Sequence, residues 1–255
     1  MSRPRVTACV ITRNEEGNLP DCLRSVAGLC DHVVVVDCGS SDGTVAIARD
    51  AGATVIETDW PGHVAQKNRA IDAATTDWVL CLDADERVSA ELAGEITSVL
   101  DAGPTAAAYS MPRLTRYLGR WIRHGGWYPD RKVRLFDRRR ARWGGIDPHD
   151  RVEVEPGAPI VALKGDLHHH TYRDLSDHLG YIDRYTSTIA REKQRRGERF
   201  RLHRMLLRPV GKVLRMYVLR GGFLDGPAGL IVALLGGYYV FLKYAKLWEL
   251  ERGDA

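Results

Sequence analysis

The sequence predicts an α/β fold: a parallel sheet flanked by helices, followed by a helical C-terminal extension. Apolar runs without polar alternation recur through the first third of the chain, as expected of strands buried on both faces. Between them the apolar period changes to that of an amphipathic helix. Three of the runs stop in polar or acidic residues, and open α/β sheets bind ligands at the carboxyl ends of their strands.

The elements follow in order. Val6-Thr7-Ala8-Cys9-Val10-Ile11 forms the first strand and ends in Thr12-Arg13-Asn14-Glu15-Glu16. Leu19, Cys22, Leu23 and Val26 fall at i, i+3, i+4, i+7 and predict a helix. Val33-Val34-Val35-Val36 is a second strand that ends in Asp37, and Asp42-Gly43-Thr44 opens a short helix through Val45 and Ala48. Residues 53–58 supply a third strand, Val64, Asn68, Ile71 and Ala74 a weaker helical face, and residues 78–82 a fourth strand. This β-α-β-α-β-α-β order requires right-handed crossovers between parallel strands. A dinucleotide-binding fold would carry Gly-x-Gly-x-x-Gly after the first strand; Thr12-Arg13-Asn14-Glu15 stands there, so phosphate binding must rest on metal and cations.

Leu80-Cys81-Leu82-Asp83-Ala84-Asp85-Glu86 is the most pointed feature, an apolar strand that stops in two carboxylates one residue apart. Carboxylates there contribute little to folding and suit a hard divalent cation that also takes phosphate oxygens. A solvated strand-end turn is the competing reading; the acidic ends at Glu15 and Asp37 favour the site.

With 255 residues, 44% hydrophobic and 27% charged, the chain can bury the core of one large domain with an extension, here divided as 1–175 and 176–255. The five cysteines fall in the first third without Cys-x-x-Cys spacing and are expected to be small buried hydrophobes in a reducing cytoplasm. Met1-Ser2-Arg3-Pro4-Arg5 leads into a strand without the pattern of a secretory signal. Charge is divided unevenly: residues 1–112 carry 8 Lys+Arg against 17 Asp+Glu, the remainder 29 against 16. A basic half joined to an acidic one points to phosphorylated partners or an anionic membrane surface. No nucleic-acid recognition motif accompanies Arg138-Arg139-Arg140 or the run 191–196, so nucleic acid is not an expected partner.

Thr12-Arg13-Asn14-Glu15, Val36-Asp37 with Gly39-Ser40 and Asp42-Gly43-Thr44, Lys67-Asn68 and the run 78–86 resemble the family 2 glycosyltransferases of GT-A fold, which implies a Rossmann-like, mixed, mostly parallel sheet flanked by helices. Gly126-Trp127-Tyr128-Pro129-Asp130, Arg134-Leu135-Phe136, Trp143-Gly144-Gly145, His149-Asp150 and Arg220-Gly221-Gly222-Phe223-Leu224-Asp225-Gly226 extend the resemblance over nearly the whole chain. They narrow it to the bacterial lipopolysaccharide-core β-1,4-glucosyltransferase branch.

The resemblance implies an inverting, metal-dependent transfer of a hexose, glucose from UDP-glucose, to a lipid-linked saccharide at the cytoplasmic membrane face, with polyprenyl phosphate as the alternative acceptor. It implies that Thr12, Asn14, Glu15 and Asp37 line the nucleoside pocket, that Asp83 reaches ribose or sugar, and that Asp85 ligates Mg²⁺ or Mn²⁺ across the two phosphates. Lys67 and Arg131 or Arg134 then add fixed positive charge on the leaving group. The general base falls on Asp150, where the family usually shows Glu, with Asp147 and Asp130 in reserve. A structural ion pair of Asp150 with Arg151 or a nearby arginine is the competing reading.

His168-His169-His170 cannot all face one metal from a strand, because side chains alternate across it; His170 is the member expected to join Asp85. After Pro209, Val210, Val213, Leu214, Tyr217 and Val218 share a helical stripe that Lys212, Arg215 and Arg220 avoid, a pattern suited to an anionic bilayer surface. Residues 227–242 then run uncharged, shorter than the roughly 20 residues a spanning helix needs. That helix belongs on a membrane, in a homo-oligomer interface or in the core. Two other function classes fit less well: a phosphohydrolase wants its Asp-x-Asp after the first strand rather than the fourth, and a basic membrane-surface binding module without catalysis does not account for acids at three strand ends.

Overall fold

The computed structural model describes residues 3–146 and 149–253, which group into two compact units. Unit 1 comprises residues 3–113 and 130–169; unit 2 comprises 114–129 and 170–253. The excursion 114–129 therefore groups with the C-terminal helices, whereas a division at 175/176 would assign it to the first domain.

In unit 1 four strands pair in parallel in the order β3 (Thr54–Glu57), β2 (His32–Asp37), β1 (Val6–Thr12), β4 (Trp78–Asp83). Their apolar runs lack alternation because both faces are covered. Ala8, Val10, Val35, Leu80 and Leu82 face a core shared with α1 (Leu19–Val26) and α4 (Ala90–Ala102). Cys9, Val34, Val36, Val79 and Cys81 face a second core that includes Ile71 of α3 (His63–Asp72). α1 buries Leu19, Cys22, Leu23 and Val26, the stripe its spacing predicts. α2 (Thr44–Asp50) covers the next crossover. All five cysteines are free, four of them buried and Cys30 partly so.

Beyond β4 the pairing turns antiparallel. β8 (Asp130–Asp137) joins β4 to β6 (Ala108–Tyr117), and β12 (Leu167–His169) joins β5 (Glu86–Val88). β11 (Ile160–Ala162) runs parallel to the start of β6. β9 (Ala141–Ile146) and β10 (His149–Val154) form a separate two-stranded sheet.

Strand register sets the site. Thr12 lies opposite Asp37, and Ile11 opposite Asp83, so three polar strand ends stop at one level. α3 shows much of the expected face, with Ile71, Ala74 just beyond its end and, in part, Val64 packed in the second core; it also buries Gln66, Lys67 and Ala70, and Lys67 lines a pocket.

Unit 2 holds β7 (Arg120–Ile122), which returns along the end of β6, and the helices α5 (Leu175–Arg195), α6 (Leu202–Leu214) and α7 (Gly226–Arg252). α6 begins before Pro209 and carries it internally, then passes through a π-helical turn at Arg215–Leu219. Of its expected stripe, Val213 and Tyr217 pack inward beside Met216, whereas Val210, Leu214 and Val218 are exposed. The Arg220–Gly226 motif is a structural joint. Asp225 is buried and accepts the backbone N–H groups of Arg123 and His124 at 3.1 and 2.8 Å. A Cβ on Gly229 would lie 1.9 Å from the carbonyl oxygen of Gly222, so only glycine permits that approach. α7 spans 27 residues, long and apolar enough to cross a membrane by length and composition, yet Val232, Ala233, Tyr244 and Leu247 are buried against its own unit.

His178 of α5 makes unit 2 sensitive to acid. It is buried, hydrogen-bonded through Nδ1 to the Tyr117 hydroxyl at 2.8 Å and stacked on Tyr172 with centroids 4.1 Å apart. Burial pushes its pKa down to about 4. The folded state therefore binds the proton less readily than the unfolded chain, and stability present above pH ~6.5 is lost as pH falls toward 4. Urea unfolding is expected to give about 2 kcal/mol less stability at pH 5 than at pH 7 from this group. In His178→Gln that share of the pH dependence should vanish; an unchanged profile would assign it to other groups.

Candidate active site

The β1–α1 and β2–α2 loops are tied together by Asp37. Its Oδ1 accepts the N–H groups of Gly39 and Ser40 at 3.0 and 2.8 Å, and its Oδ2 accepts the hydroxyls of Thr12 at 2.9 Å and Ser40. Asp37 is buried, and these four bonds fill the capacity of a carboxylate. Asn14 takes a left-handed backbone, φ 56°, which lets its N–H reach the Ser40 hydroxyl and its Oδ1 accept from Ser41 N, both at 2.8 Å. Glu15 donates its N–H to the Thr44 hydroxyl and accepts from Asn18 Nδ2.

At the end of β4 the charges interlock. Asp83 takes Lys67 Nζ on Oδ1 at 2.9 Å and Arg134 Nη2 on Oδ2 at 2.7 Å. Lys67 also reaches Asp150 Oδ2 at 2.8 Å, so one ammonium bridges two carboxylates from β4 and β10. Trp143 stands beside them, its ring 4.3 Å from Lys67 Nζ and 5.4 Å from the Arg134 guanidinium carbon. Burial alone would raise the Asp83 pKa; Lys67 and Arg134 overcome it and hold the carboxyl far below its usual range. Burial would likewise lower that of Lys67, and Asp83 and Asp150 outweigh burial and the nearby Arg134 to raise it.

These groups border a cavity of about 450 Å³ whose wall also includes Arg113, Arg131, Lys132 and Arg151. Six cations against Asp83 and Asp150 make it a place for an anion. Arg131 is fixed by a 3.0 Å bond to the carbonyl of Leu163. Another cleft of about 500 Å³, lined by Leu23, Val26, His32 and Ile47 among others, lies at the opposite end of β2, away from the strand-end carboxylates.

Asp85 is paired with His169, Nε2 to Oδ2 at 3.2 Å. His170, the expected partner, instead sets its ring against Trp121 in unit 2, centroids 5.5 Å apart. Asp85 lies in the turn between β4 and β5, outside the ladder in which His169 stands opposite Glu86, so it is the turn and not strand alternation that brings its carboxylate to His169. Among the described residues no three His, Cys, Asp or Glu side chains form a metal cluster. Asp130, a reserve base, accepts two bonds from Arg113 and one contact from Lys132, and Asp147 lies outside the described residues. Arg151 pairs with Glu153, leaving Lys67 as the partner of Asp150.

Glu86 received no role from the sequence, yet it is fully buried and organises the site. It accepts Arg134 Nη2 at 2.6 Å and the Asp83 N–H at 3.1 Å, with Arg113 at 3.5 Å. Its position directly after Asp85 was the one available signal; Arg113 carried none. Beneath the acidic turn, burial and the charges of Glu86, Asp85 and Asp83 push the Cys22 thiol far up, which keeps it inert.

Residues 7–154 match the family model described as glycosyl transferase family 2. The chain is 29% identical to an uncharacterized glycosyltransferase of Rickettsia typhi, covering 97% of this chain and 88% of the relative. It is 27% identical to the lipopolysaccharide core biosynthesis glycosyltransferase LpsC of Rhizobium meliloti, covering 96% and 92%. The mannosyltransferase PcManGT of Pyrobaculum calidifontis, solved in complex with GDP-Man and Mn²⁺, superposes with TM-score 0.56 at 17% identity over 97% of this chain and 88% of that one, and so shares the GT-A fold. The acid-tipped parallel strands, the cation-lined cavity beside them and the match across more than half the chain agree: this protein belongs to glycosyl transferase family 2 and is a nucleotide-sugar-dependent glycosyltransferase.

Proposed function

We propose that the protein is an inverting, metal-dependent hexosyltransferase that moves glucose from UDP-glucose to a lipid-linked saccharide of the lipopolysaccharide inner core type. The observation that carries the reading is the Asp83–Lys67–Asp150 bridge on a cationic cavity, which joins a leaving-group site to a carboxylate able to take a proton. The LpsC relative, named for lipopolysaccharide core biosynthesis, favours that acceptor class.

The donor set suits a divalent cation. Asp85 and His169 offer one carboxylate oxygen and one imidazole nitrogen, and Mg²⁺ or Mn²⁺ commonly completes such a partial shell with substrate phosphates. When bound, the cation neutralises charge growing on the departing diphosphate. Around it, Lys67, Arg131 and Arg134 supply fixed positive charge on the same group. Asn14 and Glu15 line the nucleoside pocket with Thr12, and Asp37 acts by holding the two loops in shape, since its oxygens are already occupied. Asp83 orients donor ribose or sugar while anchored by its two cations. Asp150 accepts the proton from the acceptor hydroxyl as it attacks the anomeric carbon, with Lys67 holding one of its oxygens in place.

Unit 2 serves as the docking surface at the cytoplasmic face of the membrane. Its outward Leu206, Leu207, Val210, Leu214 and Val218 on and after α6 are more than half exposed and flanked by arginines and lysines, the pattern of a helix lying in the bilayer interface.

Thermal unfolding in the presence of nucleotide-sugars and Mn²⁺ tests the donor and metal together, because a ligand of the folded state raises its melting temperature. UDP-glucose with Mn²⁺ is expected to give the largest rise, and Asp85→Ala to lose the Mn²⁺-dependent part without a change in the apo melting temperature. An undiminished Mn²⁺ effect in that variant would remove Asp85 from the metal site.

A further inference from the structure

Glu86 is fully buried and stands outside the lining of the cationic cavity, yet its two oxygens hold different parts of the site. Oε2 accepts the Asp83 N–H at 3.1 Å and so closes the turn 83–86, which carries Asp83 and Asp85. Oε1 accepts Arg134 Nη2 at 2.6 Å and meets Arg113 Nη1 at 3.5 Å, and both guanidinium groups belong to the cavity wall. Along the backbone Glu86 stands opposite His169, whose Nε2 lies 3.2 Å from Asp85 Oδ2. One residue thus joins the acidic turn and the strand of His169 to the cationic wall.

From Glu86 the charges alternate in two directions. Arg113 pairs with Asp130 at 2.6 Å and Asp130 with Lys132 at 3.1 Å. On the other side Arg134 pairs with Asp83, Asp83 with Lys67, and Lys67 with Asp150. Glu86 is the least exposed member and the junction of the two arms. An ionised carboxylate accepts at both oxygens, whereas an amide must donate from one end. Gln at this position would therefore set an N–H against either the Asp83 N–H or the guanidinium groups, and shortening the side chain would give up one of the two reaches.

We propose that Glu86 is a positioning residue that fixes the turn bearing Asp85 against Arg134 and Arg113, so that a divalent cation and the guanidinium groups act on one diphosphate. This rests on the reading of Asp85 as a metal ligand and of Arg134 as a leaving-group cation, and adds the residue that keeps the two in register.

Titration calorimetry of the full chain with UDP, in the presence and absence of Mn²⁺, tests this without turnover. Glu86→Gln removes a negative charge beside the cavity, so UDP without metal should bind as tightly as to the parent or more tightly. The gain in UDP affinity that Mn²⁺ confers should fall by about tenfold or more, as when a group that orients metal ligands is lost. A purely structural role would lower the competent fraction and leave both dissociation constants unchanged. Glu86→Asp strands no charge but is one methylene short; it should lose the Mn²⁺-dependent gain as well, and carries the test if Glu86→Gln does not fold. A parent-like gain in either variant would overturn the role of Glu86 and leave the metal reading standing. Equal losses of UDP affinity with and without Mn²⁺ would make Glu86 a general support of the pocket and overturn its part in alignment. No gain from Mn²⁺ in the parent would overturn the metal reading and this inference together.

Discussion

Asp150→Asn is expected to lower kcat by about 10²–10⁴-fold, the range for loss of one general base, while UDP-glucose affinity stays within a few-fold of the parent. The substitution keeps the shape of the side chain and removes its capacity to take the acceptor proton. Lys67, deprived of a charged partner at Asp150, retains Asp83 at 2.9 Å, so the charges beside the proposed donor site remain in place. Steady-state kinetics with donor binding measured separately distinguishes the roles. A near-normal kcat would remove Asp150 from the chemistry. A fall in donor affinity equal to the fall in kcat would make it a positioning partner of Lys67. Asp130→Asn is the comparison: its carboxylate is engaged by Arg113 and Lys132, so its loss should appear in stability more than in turnover.

Arg134→Met should destabilise unit 1 by about 3–5 kcal/mol, the cost of stranding buried charge. Arg134 is almost fully buried and donates to both Asp83 and Glu86. Burial would lower its pKa, and Glu86 and Asp83 outweigh it, so the guanidinium stays charged. Without it Glu86 keeps, among the described residues, only the ion pair with Arg113 at 3.5 Å while remaining wholly buried. Equilibrium urea unfolding measures the loss as a fall in midpoint with little change in slope. Arg134→Met/Glu86→Gln should recover part of it, because the penalty lies in the uncompensated carboxylate and not in the missing contact. A loss below about 1 kcal/mol would place this triad among the weak surface pairs.

What could be read along the chain was local. The strands β1, β2 and β4 announced themselves because residues buried on both faces must be apolar throughout, and α1 because one packed face repeats every three to four positions. The acids that end those strands pointed to the site for the same reason: a carboxylate closing a buried strand needs a partner. α3 was legible only in part: Val64, Ile71 and Ala74 pack on the second core as their spacing predicts, whereas the buried Lys67 beside them belongs to a polar cavity wall that apolarity does not mark. Pro209 suggested a helix start, yet α6 runs through it, packed against α7 where Gly236 and Gly237 let the two backbones approach.

By itself the sequence determined the parallel half of the sheet, the family and the acidic strand ends, since each is written in contiguous residues whose burial or spacing has one physical meaning. Tertiary structure alone decided which charges meet. Lys67 with Asp150, Arg134 with Glu86, and Lys193 with Arg208 and Lys243 are brought together by antiparallel pairing and helix packing. His169 rather than His170 stands beside Asp85 because Asp85 lies in the turn before β5, where strand alternation no longer sets the direction of a side chain. Coulomb interactions depend on distance in space, and no spacing along the chain encodes it.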